Sequence, residues 1–383
     1  MDTLEALKKS FSSCGTVFLN NAGVAPITLQ AKQAVADACE RMYNASESSH
    51  QELFSCYNGE ARGTIAALVG CTESQIVFFH TCAAAISQVA LGIKLSEGDE
   101  ILLWDQEYPS NAYPWYAAAK RAKAKVVTVS SNHDYTLDSG RMAAAINERT
   151  RVVAVSWVQY QSGAVSDLSL LSKTCREKGA LLMVDAIQGL GVMPFDMGQL
   201  GVDIVAGGTH KWCCGPLGLG FLAIRKDLIS RLEPIYYGAM SYCEVDEKFD
   251  AAKELKSTNA RYEPGSPLLL SALGGAASIR LLLETGIENI WAEAMRLSRR
   301  CIEEISRRGF SPLGENGFDG IKSPIVTFKI ERSGEIARQL RTKGVMCAGE
   351  RAGGLRLSPH AFLYDDAIDR FFEIFDKVRR DGN

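Results

Sequence analysis

Two residues of opposite charge stand where packing alone would not put them. Asp185 closes the apolar run ALLMVDA (180–186), and Lys211 follows the run DIVAGG (203–208), 26 residues later (211 − 185). Neither charge suits a strand interior, so each marks a point where a buried strand delivers a side chain into a cleft. A lysine amine there can form an imine with an aldehyde. A carboxylate there can face a pyridine nitrogen and keep it protonated, which turns the ring into an electron sink. Pyridoxal phosphate needs both groups, with Lys211 as the imine lysine and Asp185 as the ring-nitrogen partner. Gln188, three residues past Asp185, is placed to contact the ring's phenolic oxygen, and Thr209 and His210 offer donors to a phosphate. Gly207 and Gly208 let the backbone approach closely.

Taken singly, each residue has a plainer reading. A lone Asp or Lys is usually a solvated surface charge. Asp185 after its strand can cap a helix, and His210 can be structural. The combination, bracketed by two apolar strands, argues for a site. A nicotinamide-dependent oxidoreductase is the main rival. Yet GLGVMP (189–194) does not spell the dinucleotide fingerprint, and GPLGLG (215–220) precedes a strand rather than a helix.

The elements that must position these residues alternate. QIVFFH (75–80), EILLWD (100–105), KVVTV (125–129), RVVAVSWV (151–158), 180–186, 203–208 and GFLAI (220–224) read as buried strands, with helical segments at 83–93, 111–123, 138–147 and 167–178. Strands apolar on both faces and separated by helices predict an α/β domain with a mostly parallel seven-stranded sheet. After about residue 250 the texture changes to long helices near 266–286 and 288–308, strands near 324–330 and 354–358, and a last helix near 364–380. The expected division is an N-terminal segment 1–15 packing on the small domain, a large cofactor-binding domain 16–255, and a smaller α+β domain 256–383.

Composition narrows the partners. A hydrophobic share of 46% supports a sizeable core, and a net charge of −3 without a basic block offers nothing to nucleic acid or an anionic membrane. Eleven cysteines, an odd number without a CxxC pair, read as reduced thiols rather than a disulfide framework or metal site. The start MDTLEALKKSFSS has no signal-peptide core, and no apolar run reaches the roughly 18 residues of a membrane span. A cytoplasmic protein is the expectation.

The segments VDAIQ and GTHKWCCGPLGLGFL resemble the signature of the class V aminotransferase family, within fold type I of the pyridoxal phosphate enzymes. The likeness extends over FLNNAG (18–23), 79–90, DQEYPSNAYPW (105–115), VSWVQYQSGAVSDL (155–168), RYEPGSP (261–267) and LRLSPH (355–360). It is greatest to the branch resembling isopenicillin N epimerases, cysteine desulfurases and C–S lyases. The resemblance implies that the turn Thr81-Cys82-Ala83 cradles the phosphate through backbone N–H groups, that Ser266 reaches it across a dimer interface, and that Arg356 clamps a substrate carboxylate. It also implies that Tyr108 stacks on the ring, where desulfurases of the family have a histidine. Asn21, Ala22 and Gln159 become substrate-side candidates, with Gln159, Tyr160 and Gln161 left open for the amide beside the phenolic oxygen. A homodimer with shared sites follows from the same resemblance.

Several reactions at the α-carbon of an amino acid remain open. Lys211, freed once substrate has joined the cofactor, is the expected base. Transamination and β-elimination of the C–S lyase type are the leading readings; epimerisation and cysteine desulfuration are the alternatives. Desulfuration needs an exposed, mobile thiol near Arg356. Cys347, in VMCAGERAGG (345–354), is the candidate, but it lacks the expected sequence context. The aromatics of SWVQYQ (156–161) and YPWY (113–116), if they line the cleft, predict an apolar or bulky substrate.

Overall fold

The computed structural model describes residues 3–12, 15–44, 46–244, 253–314 and 322–381. Its strands are β1 Val17–Phe18, β2 Ile76–Phe79, β3 Glu100–Trp104, β4 Lys125–Val129, β5 Thr150–Ser156, β6 Leu181–Asp185, β7 Ile204–Gly208, β8 Gly220–Ile224, β9 Val326–Lys329, β10 Val345–Met346, β11 Ala348–Arg351 and β12 Gly354–Leu357. Seven of them form one sheet in the order β2-β8-β7-β6-β5-β3-β4. All neighbours in it are parallel except β8, which runs antiparallel to both β2 and β7.

Side-chain alternation along these strands splits the core in two. Val153, Val155, Leu182, Val184 and Val205 pack on one face of the sheet. Their neighbours Val152, Ala154, Met183, Ile204 and Ala206 pack on the other. A strand buried on both faces has to be apolar throughout, which is why these segments read as continuous hydrophobic runs. Helices Cys82–Gly92 and Pro109–Ala122 cover the second face. The strand order reverses beside β3: the chain steps from β3 out to β4, then returns to lay β5 on the other side. A crevice opens at the carboxyl ends of strands where such a reversal occurs.

Two features run across the boundaries expected from sequence. β1 pairs in parallel with β10, and Asn20 bridges to Ser358, so residues 17–20 join the C-terminal part although 16–255 was expected to form the large domain. Helix Leu269–Thr285 packs on helix Leu29–Asn44 and on helix Arg62–Val69. The N-terminal helix Thr3–Lys9 lies against helix Leu269–Thr285, with Lys8 bonded to Glu293, and Phe11 stacks on Phe362. The three-stranded sheet β11-β12-β9 completes the C-terminal part. Among the described residues no single helix is long and apolar enough to cross a membrane; helices Leu269–Thr285 and Ile287–Arg307 pass jointly on length and composition but bend by 83° between them.

Candidate active site

The carboxyl ends of β2, β3, β5, β6 and β7 deliver His80, Tyr108, Tyr160, Asp185 and Lys211 to one cavity of about 370 Å³. Thr81, Cys82, Ala83, Ala22, Gln188, His210, Arg351 and Arg356 also line it. Chain segments as far apart as Ala22 and Arg356 therefore meet at the crevice that the strand reversal creates.

Asp185 is the last residue of β6 and shares a face with Met183, on the side covered by helix Cys82–Gly92. Its Oδ1 accepts the backbone N–H of Ile187 at 3.0 Å and lies 3.6 Å from the Cys82 thiol; no described residue donates to Oδ2. Burial raises its pKa, and the nearby Lys211 ammonium opposes that rise. Lys211 is also enclosed. Burial lowers its pKa to about 8, with Asp185 and Cys82 opposing and Arg356 and Arg351 adding to the depression. The two charges interact but form no ion pair, so a gap separates them inside a shared cavity. The ammonium sits 5.5 Å from the centroid of the Tyr108 ring, and Tyr108 meets Tyr160 edge-on at 5.0 Å.

The turn before helix Cys82–Gly92 has the form of an anion seat. Thr81 is the N-cap, and its Oγ1 accepts the N–H of Ala84 at 3.0 Å. The N–H groups of Cys82 and Ala83 precede the first intrahelical acceptors and stay open at the positive end of the helix dipole. Gly220, at the start of β8, holds the turn in place. A Cβ there would lie 2.2 Å from the Thr81 carbonyl carbon.

Gln188 lines the cavity with its amide already oriented. Its Oε1 accepts from the Trp212 indole at 2.9 Å, and Nε2 donates to the Ala22 carbonyl at 3.0 Å, leaving one amide hydrogen. His210 is held neutral: burial, then the Lys211 charge, lower its pKa to about 4.

Other expected residues lie elsewhere. Thr209 is fully buried and outside the lining; its hydroxyl donates to the Pro216 carbonyl at 2.9 Å, so strand alternation turns it away from the phosphate role expected of it. Gln159 is also buried outside the lining, its amide bonded to Glu107, and Tyr160 takes the cavity position. Asn21 donates to the Ser358 carbonyl at 2.8 Å and ties the N-terminal segment to the end of β12, leaving the lining to Ala22. Ser266 lines a different cavity, of about 560 Å³, with Tyr57, Tyr236, Tyr237 and Tyr262. Trp115 is sealed in the second core and Trp157 packs against Phe195, so neither supports the bulky-substrate expectation. Cys347 is buried outside the cavity, and burial pushes its thiol up to about 12.

Three contributors escaped the sequence reading. Arg351 and His80 line the cavity. Glu107, beside Tyr108, is buried and accepts four hydrogen bonds: from the Ser156 N–H and hydroxyl and from the amides of Asn111 and Gln159. Burial outweighs these donors and raises its pKa to about 7. The signal was present in EYPSN, where an acid precedes the ring-facing tyrosine.

A family model described as aminotransferase class-V matches residues 17–354. The chain belongs to the class V aminotransferase family. It is an enzyme, and pyridoxal phosphate is its cofactor. An uncharacterized aminotransferase of Bacillus subtilis, YcbU, is 28% identical over 302 residues, covering 79% of this chain and 78% of the relative. A probable cysteine desulfurase of Methanothermobacter thermautotrophicus is 30% identical over 247 residues, covering 64% and 61%. The apo structure of a cysteine desulfurase from Thermococcus onnurineus NA1 superposes with a TM-score of 0.90 at 22% identity, covering 98% of this chain and 97% of that one. That likeness speaks to the fold, which is fold type I as the class V signature implied.

Proposed function

We propose that this class V enzyme takes the α-proton of an amino acid with Lys211 and completes the reaction as a transamination or a β-elimination, without passing sulfur to a thiol of its own. The carrying observation is that Lys211 and Asp185 line one cavity without pairing, while Cys347 is shut outside it.

The residues fit the cofactor. Asp185 keeps an oxygen free for a pyridinium N–H, the Cys82 and Ala83 N–H groups suit a phosphate, Tyr108 offers a ring face, and Gln188 has an amide hydrogen for the phenolic oxygen. Once bound, the cofactor supplies an electron sink that acidifies the substrate's α-carbon. Asp185 holds the positive charge that the sink requires, in a site where burial strengthens the attraction. Lys211 carries the proton: a pKa brought down to about 8 makes its free amine accessible near neutral pH. Arg356 receives the substrate's α-carboxylate. It is nearly sealed, and its Nε has no partner.

Cysteine desulfuration is the second reading, supported by the names of several relatives. A buried Cys347 thiol held at about 12 opposes it, as does a tyrosine at 108. We further propose a cytoplasmic homodimer in which Ser266 of one protomer completes the phosphate seat of the other.

Borohydride reduction of the yellow holoenzyme followed by peptide mapping should fix the cofactor on Lys211. A panel of amino acids scored for pyruvate, ammonia, sulfide, keto acid and optical activity then separates the reactions. Sulfide release that needs Cys347 would overturn the proposal.

A further inference from the structure

We infer that the cavity is built for an amino acid with a second anionic group on its side chain, received by Arg351. The inference rests on the cofactor-site reading above and goes beyond it.

Two guanidiniums face this cavity, and neither has a carboxylate partner among the described residues. Arg356 donates from Nη1 to the Tyr160 carbonyl at 2.5 Å and from Nη2 to Asn20 Oδ1 at 3.4 Å, with Nε buried and unpartnered. Its partners are neutral oxygens, so its charge awaits an anion, and the α-carboxylate satisfies it. The cofactor phosphate has its own seat at residues 81–83, made from backbone N–H groups. Arg351 is then a further cation for which the first two anions give no use.

Its backbone is held in place at a cost. The residues on both sides, Glu350 (φ 59°) and Ala352 (φ 50°), are non-glycine residues in the left-handed region, and Gly353 (φ 73°) follows. Ala352 and Gly353 form the two-residue turn between β11 and β12, which takes positive φ at both positions. Glu350, inside β11, is the L residue whose left-handed backbone that turn does not account for. Here the surroundings enforce it. The Glu350 N–H donates to the Ser333 hydroxyl at 3.1 Å, and the Ala352 N–H donates to Gln161 Oε1 at 2.8 Å. Gly349 packs so closely that a Cβ would lie 2.5 Å from the Ser333 carbonyl oxygen. Gln161 adjoins Tyr160, whose carbonyl holds Arg356, so one segment anchors both arginines. The pairing of β11 with β12 sets Arg351 opposite Gly354 and Ala348 opposite Arg356, which places both arginines on one hairpin. Strain maintained by several contacts at a cavity rim is a mark of function. Two guanidiniums at one cavity, the buried Arg356 and the exposed Arg351 at its rim, suit two carboxylate-like groups on one molecule.

The test uses the holoenzyme with Arg351→Gln and Arg351→Lys. Aspartate, cysteine sulfinate and cystine are compared with alanine, cysteine and methionine. The wild type should favour at least one of the first set, with the better of aspartate and cystine showing how far from the α-carbon the second anion lies. Arg351→Gln should cut that selectivity ratio by about 10–100-fold, chiefly through KM, and Arg351→Lys should restore part of it. Calorimetric titration with succinate and butyrate gives a readout without turnover. Succinate should bind the wild type more tightly, and Arg351→Gln should erase the difference. Equal use of both substrate sets, or an Arg351→Gln variant with an unchanged ratio, overturns the inference and leaves the cofactor site standing. Failure to trap any cofactor on Lys211 would instead overturn the underlying reading, while the succinate titration would still score Arg351.

Discussion

The two halves of the active site are built on opposite principles. Asp185 and Lys211 hang from the ends of β6 and β7, central strands whose side chains are buried on both faces. Arg351 and Arg356 come from a hairpin at the edge of a three-stranded sheet, braced by hydrogen bonds that it donates to Ser333, Gln161 and Tyr160. The strand ends hold the proposed imine lysine and ring-nitrogen partner, inside the seven-stranded sheet. The hairpin holds the two arginines proposed to receive the substrate, and its Leu355 and Leu357 are part of the main core. The proposed chemistry and specificity are thereby carried by two different sheets.

Substitutions test this division. Lys211→Ala should lower turnover by about 10⁴-fold, measured as product formation under saturating substrate, because no other lysine among the described residues lines the cavity. Asp185→Asn preserves shape but not charge, and should lower kcat by about 10²–10³-fold with little change in KM. A predominant KM effect would show that the strand ends also select substrate, against the comparison drawn here.

Glu107 supports the strand-end half through its bonds to Ser156, the last residue of β5, and its effect should appear in stability. A carboxyl whose pKa rises on folding favours the protonated form, so the fold loses stability as pH climbs from the unfolded value of 4.5 through about 7. Glu107→Gln should flatten the dependence of Tm on pH across that window by roughly 2 °C. An unchanged pH profile would mean that the four donors already keep the carboxylate ionised. The smallest effect belongs to the hairpin's thiol: Cys347→Ala should alter turnover less than twofold, and a large loss would restore the desulfurase reading.

The strand-end half could be read directly from the residues. A charge terminating an uninterrupted apolar run is conspicuous, and the runs containing Asp185 and preceding Lys211 both became central strands. Thr209 shows where that reading failed. Being two residues from Lys211 suggested a shared role, but its hydroxyl turns to Pro216 instead. Gln159 was misjudged in the same way, because its partner Glu107 is 52 residues away. Arg351 was not singled out from the sequence, and it is exposed at the cavity rim in the fold. Its meaning depends on the left-handed backbone of its neighbours and on Gln161, 190 positions back in the chain (351 − 161).

Periodic burial is a local property, so the order of residues was enough to specify the parallel sheet, the lysine and the carboxylate that serves it. Contacts between distant segments are not local. Closing the crevice, burying Cys347 and bringing Arg351 and Arg356 to one cavity all required the N-terminal strand, the sheet and the C-terminal hairpin to be packed together, because each depends on which groups the folded chain brings within a few ångströms.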